Sequence, residues 1–184
     1  MKLYLDISIP PGVNQYKKYR VIFQGGRPMA APYLIKAAVD FKEHMKYVMT
    51  REAKKANWII PEDSQYIRMS LIFYMDKLGK DADNHIKLIQ DSLQESGLIK
   101  NDSKIIPVVK RLYVDKENPR VKVKLEVLPW IGVFENEEHK QEFIQLNCIN
   151  CKRFKRNCSI LKTLQENKLM SDVDLLNKVC KKSK

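Results

Sequence analysis

Residues 79–93 read GKDADNHIKLIQDSL, with Asp81 and Asp83 two apart before an expected helix and Lys87 and Asp91 at successive helical turns after them. Asp102 follows beyond Gly97, just before the next expected strand. Carboxylates of this kind can hold Mg2+, which absorbs charge developing on a phosphate and sharpens an attacking water for phosphodiester hydrolysis. Asp81 in the approach and Asp83 at the expected N-cap could both point past the helix start toward a common site. Lys87 and Asp91 lie opposite an expected packed face of Ile86, Ile89 and Leu93. The plain alternative is that Asp83 only caps the helix and that Lys87 and Asp91 form a surface pair. Spacing alone leaves both readings open, and it does not say whether Asp102 returns to the helix.

The elements that must position these residues follow from pattern. Residues 1–9 alternate as a strand and stop at Pro10, Pro11 and Gly12. Residues 13–29 read as an irregular loop with a sharp turn at Gly25 and Gly26. Pro32 suits a helix start, and Leu34, Ala37, Ala38, Phe41, Met45 and Val48 predict an amphipathic helix over 32–55. Residues 65–75 read as a buried strand, 83–96 as a helix with Gly97 as its C-terminal stop, and 105–114 and 120–128 as an antiparallel hairpin joined by DKENP. The order predicts an α+β domain, a mixed sheet packed with two main helices, over residues 1–132. Residues 133–184 read as a cysteine-containing helical extension, with helices at 135–145 and 155–168.

Of the 184 residues, 44% are apolar and no run approaches the ~20 a membrane span needs, so a soluble protein without a membrane partner is expected. The N-terminus lacks the pattern of an export signal, and a cytoplasmic location is expected. The net charge of +12 would draw the chain to an anionic polymer. The excess is concentrated from Cys148 onward, where ten Lys or Arg stand against three Asp or Glu.

Lys17, Lys18 and Arg20 interleave with Tyr16 and Tyr19, a pattern that suits phosphates and unpaired bases, or else a solvated loop whose tyrosines pack on the sheet. Arg27, Lys110 and Arg111 are further candidate DNA contacts, and strand alternation predicts that Lys110 and Arg111 face opposite ways. Trp58 and Trp130 read as packing residues. All four cysteines, Cys148, Cys151, Cys158 and Cys180, lie in the extension. The C-x-x-C start has zinc-ligand spacing, and four thiolates would complete a structural Zn2+ site, with His139 as a substitute for Cys180. The irregular six-residue gap to Cys158 and the long gap to Cys180 count against that set, and unliganded or loosely packed cysteines are the alternative. Lys152, Arg153, Lys155 and Arg156 would favour thiolates and stand ready for phosphate.

The stretch DADNHIKLIQDSLQESGLIKND resembles the signature of the RusA-like Holliday junction resolvases, D-x-D-N-x-x-K-x-x-x-D-x-L-x-x-x-G followed by an acid before the next strand. Asp81, Asp83, Asn84, Lys87, Asp91, Leu93, Gly97 and Asp102 carry the resemblance. IPPGVNQYKKYR is similar to the family's opening loop, with Asn14 at its asparagine. The similarity extends to about Leu128. It implies a homodimeric, Mg2+-dependent endonuclease that nicks two strands of a four-way DNA junction. Asp81, Asp83 and Asp102 would then be metal carboxylates and Lys87 the basic residue near the scissile phosphate, with Asn84, Asp91 and Asn14 in support. Family members often carry arginines just before the first acid, where this chain has Asp76, Lys77 and Lys80, and Asn101 replaces a frequent second acid. Lys80 is counted with the DNA contacts. The rival expectation is a non-catalytic DNA-binding module whose acids are caps and solvated helix residues.

Overall fold

The computed structural model describes residues 1–77 and 79–183, with Lys17 described by its backbone alone. Two compact units divide the chain, one of residues 1–63 with 67–127 and one of 64–66 with 128–184. Pro129 to Gly132 therefore belong to the second unit.

In the first unit, β1 (Lys2–Ser8) buries Leu3, Leu5 and Ile7 on one face, as its alternation predicts. A short helix, α1 (Val13–Tyr16), leads into β2 (Lys17–Gln24) and β3 (Arg27–Leu34). These two pair antiparallel, so the segment expected to be an irregular loop is a hairpin. Gly25 and Gly26 both have positive φ, as the tight two-residue turn that joins twisted strands requires. Pro32 sits in β3 opposite Tyr19 and does not start the next helix, which is α2 (Lys36–Lys55). The first register pairs Lys17 with Leu34, and only beyond that pair is the backbone free to turn into α2.

β4 (Ile67–Met75) leads to α3 (Asp83–Glu95), then β5 (Ile105–Val114) and β6 (Arg120–Val127). The sheet order is β1-β6-β4-β5, with β4 parallel to β5 and antiparallel to β6. The sheet is mixed, as expected, but β5 and β6 are not a hairpin. α3 is a crossover that returns β5 parallel to β4, and the DKENP connection then passes over the end of β4 to its other side. Asp115 fastens that connection, accepting from Arg120 at 2.7 Å and from Asn118 N at 3.1 Å. One sheet face is closed by Ala38, Phe41, Met45 and Met49 of α2 with Leu88, Ile89 and Leu93 of α3. The buried stripe of α3 is thus rotated from the expected one, Leu88 lying inside and Ile86 only partly covered.

The second unit contains α4 (Glu137–Asn147), α5 (Ser159–Gln165) and the short pair β7 (Val173–Asp174) and β8 (Val179–Cys180). The helix expected over 155–168 is broken because Asn157 adopts a left-handed conformation, leaving a single 3-10 turn before it and Cys158 as the N-cap of α5. Phe134, Phe143, Cys148, Ile160 and Leu164 form its core. Trp130 packs against Tyr66 at 5.7 Å, and in the first unit Trp58 donates to Leu98 O, so both tryptophans are packing residues. Among the described residues no helix is long and apolar enough to cross a membrane.

Candidate active site and nucleic-acid surface

Asp83 is the first residue of α3; Ala82, already helical in φ and ψ, holds the N-cap position and no side chain caps the helix. The expectation of an Asp83 N-cap is corrected accordingly. Its carboxylate accepts from Asn84 N at 2.9 Å, at the positive end of the helix where an anion is favoured. Asp81 is exposed just ahead of it and lines a shallow pocket of about 200 Å³ with Gly12, Asn14, Gln15, Lys80, Asn84 and His85. Asn14 reaches this pocket because α1 folds back beside α3. Lys80 is held by Asp76 at 2.7 Å.

The opposite end of α3 explains how Asp102 returns. Gly97 takes φ +71°, Leu98 N bonds Leu93 O at 3.1 Å and Gly97 N bonds Gln94 O at 2.9 Å. This is a Schellman stop, with buried Leu98 against buried Leu93. The chain reverses, Asn101 caps a 3-10 turn (Asp102–Lys104), and Asp102 N donates to the side chain of Gln94. Lys87 then donates to Asp102, and to Asp91 at 2.8 Å. These bonds, that to Asp102 first, raise the Lys87 pKa above the ordinary lysine value, so the ammonium stays charged. Asp102 therefore lies along the polar side of α3, tied to Lys87 and Gln94.

Two further residues of this neighbourhood take their places from the fold, Tyr16 as a packing residue and His85 in a role with no expectation from sequence. Tyr16 is buried, and its pKa is raised first by burial and then by the Asp91 charge. It packs α1 near the Lys87–Asp91 pair and is not offered to bases. His85 Nδ1 lies 2.7 Å from Pro10 O, which fixes the ring at the wall of the Asp81 pocket. A carbonyl only accepts, so Nδ1 carries the proton. A histidine after the first acids of a helix gives no distinctive signal in sequence.

The donor set of Asp81, Asp83 and Asp102 suits a hard divalent cation, being all carboxylate oxygen. It is not closed: among the described residues no group of three His, Cys, Asp or Glu side chains stands ready to hold an ion. Asp102 is instead neutralised by Lys87.

Basic residues gather in two places of the first unit. The β2–β3 hairpin sorts its side chains onto two faces. Lys18, Arg20 and Arg27 share one with Tyr33, Arg20 lying 5.9 Å from that ring. Tyr19, Val21 and Phe23 share the other, with Phe23 74% exposed. The side chain of Lys17 lies outside the described residues. The outer face of the large sheet holds the second group. A bulge between Leu71 and Ile72 inserts Lys110 into the β5 register. Lys110 lines a trough with Tyr4, Asp6, Ser70, Lys122 and Lys124, and Arg111 lies 5.2 Å from the ring of Tyr113, which stacks on Tyr74. Lys110 and Arg111 thus emerge on the same face, not opposite ones, because the extra residue resets the alternation. The signal for Lys122 and Lys124 in the sequence is the alternation of VKVKLEV, which puts both on one face of the strand.

In the second unit Lys152, Arg153, Lys155 and Arg156 are exposed. None of the four cysteines is joined in a disulfide. Burial pushes the Cys148 thiol up to about 11, and Cys158, Cys180 and Cys151 each add to that rise, so all four are electrostatic neighbours. His139 is nine residues before Cys148, about 13 Å along the axis of α4, too far to replace Cys180.

A family model described as Endodeoxyribonuclease RusA matches residues 10–126. No curated protein matches the sequence. The matched stretch includes β4, α3 and β5 entire, and with them Asp81, Asp83, Lys87 and Asp102.

Proposed function

Because this chain belongs to the RusA family of endodeoxyribonucleases, we propose that it is a Mg2+-dependent resolvase that nicks paired strands of four-way DNA junctions. The observation that carries the reading is the Lys87 bridge, which draws Asp102 across fifteen residues of sequence onto the helix that begins at Asp83. Asp81, Asp83 and Asp102 would hold Mg2+, which supplies a Lewis-acid charge and a nucleophilic water at neutral pH. Lys87 holds its proton and sets a positive charge beside these acids, where a scissile phosphate develops negative charge. Asp91 fixes the Lys87 ammonium, Asn84 and Asn14 border the Asp81 pocket, and His85 braces its wall.

The basic face of the hairpin and the outer sheet face supply sequence-independent phosphate contacts, with Lys80, Lys110, Arg111 and the cations of the second unit adding to them. A resolvase must cut twice, and a two-fold pair of chains provides two sites. The exposed Tyr19, Val21 and Phe23 face offers apolar area for such a partner. A non-catalytic DNA-binding role is favoured by one feature, the pairing of Asp102 with Lys87 as an ordinary ion pair.

Incubation with immobile junctions, mobile junctions and linear duplexes of matched sequence in Mg2+ tests the substrate. The proposal expects symmetrically paired nicks confined to the junctions. Equal cutting of linear duplex would overturn the junction specificity.

A further inference from the structure

We propose that Cys148, Cys151, Cys158 and Cys180 form a structural Zn2+ site that staples the second unit. Beside the irregular gap to Cys158, the weak point in sequence is the long separation of Cys180 from the rest. Asn147 removes it: its side-chain oxygen accepts from Cys180 N at 2.8 Å, while its amide nitrogen donates to Lys178 O at 2.8 Å. The residue next to Cys148 therefore clamps the β8 strand that bears Cys180. Cys151 N bonds Cys148 O at 2.9 Å, so the first two thiols spring from one tight turn. Cys158 begins α5 directly after left-handed Asn157, and its side chain packs against the same core as Cys148 and Cys180.

The chemistry and the fold both call for the ion. Thiolates are soft ligands in the ratio a closed tetrahedral zinc site requires, and each thiol gives its proton to solvent as the metal binds. The resulting −2 charge lies beside exposed Lys152, Arg153, Lys155 and Arg156. The unit's own core is small, essentially Phe134, Phe143, Ile160 and Leu164 around Cys148, and small units commonly need a disulfide or a metal in addition to burial. Among the described residues no three of these side chains are grouped to hold an ion, so the inference is of a site in which Cys148, Cys151 and Cys158 as well as Cys180 draw together on the ion.

Metal analysis of the full chain, purified without chelator, is the test, together with intact mass and thiol titration before and after chelation. The expected result is zinc in one-to-one ratio with the chain, thiols that react only after chelation, and a tetrahedral tetrathiolate spectrum on exchange into Co2+. Cys151→Ser and Cys158→Ser should each lose the zinc. The proposal is overturned by a folded, metal-free chain that takes up neither Zn2+ nor Co2+, or by a mass showing two disulfides. Since the readout is metal content, it is independent of whether the first unit cleaves DNA.

Discussion

Lys87 is the residue on which the candidate site turns. It bridges Asp91 of α3 and Asp102 of the 3-10 turn, so its loss would free both acids while removing the positive charge expected near the phosphate. Lys87→Met should lower the cleavage rate about 10²-fold or more, the size seen when a preorganised charge is removed, with junction binding within a few-fold of wild type. Single-turnover cleavage beside a binding titration checks this. Asp102→Asn should leave the 3-10 turn in place, because that turn is capped by Asn101 and Gln94, and should still abolish cleavage. An active Asp102→Asn protein would remove Asp102 from the site. The acids, the lysine and their spacing were all legible in the sequence, because they lie on one helix and its flanks. Their pairing was not: that Asp102 reaches Lys87 depends on the chain reversal at Gly97 and on β5 entering the sheet beside β4. For Tyr16 the sequence leaves base contact and packing both open, since nothing local says that α1 folds it inward.

The elements that hold the site can be tested apart from its chemistry. Gly97 has φ +71° with open space where a Cβ would stand, so Gly97→Ala suffers backbone strain without a clash. The expected cost is about 1 kcal/mol or somewhat more, read by denaturant unfolding, with weaker cleavage because the reversal carries Asp102. Leu93→Ala removes a fully buried side chain between α3 and the sheet and should cost about 2–5 kcal/mol. For the hairpin, Arg20→Ala with Arg27→Ala should weaken binding to all DNA forms alike and reduce the salt dependence of log K by about 2, one per phosphate contact. An unchanged slope would remove the hairpin from the DNA surface. Strands β1, β4, β5 and β6 and helices α2 and α3 are legible from periodicity, but the hairpin reads as a loop in sequence because its residues are exposed on both faces and show no alternation of burial. The pairing of β5 and β6 was mistaken because neighbours in sequence usually pair, whereas here β4 lies between them.

For the molecule as a whole, the charge of +12 is shared by both units, and the second is tied to its own fold by Gly132. A Cβ there would meet Leu164 O at 2.1 Å, at a residue whose φ is +57°. Gly132→Ala should therefore disrupt the second unit, seen as a lost or lowered thermal transition, with the first unit's transition retained. The family assignment rests on residues 10–126, and the cysteine extension lies outside that match. The extension was legible as basic and cysteine-rich, while the clamp by Asn147 that brings Cys180 to the others could come only from three-dimensional structure. The central claim, metal-assisted cleavage by the acids around α3, is tested most directly by junction cleavage with and without Mg2+, wild type beside Asp83→Asn, with binding measured in parallel. The account predicts paired nicks that require Mg2+ and vanish in Asp83→Asn while the junction is still bound. Tight binding without cleavage by wild type across several divalent metals, or full cleavage by Asp83→Asn, would contradict it.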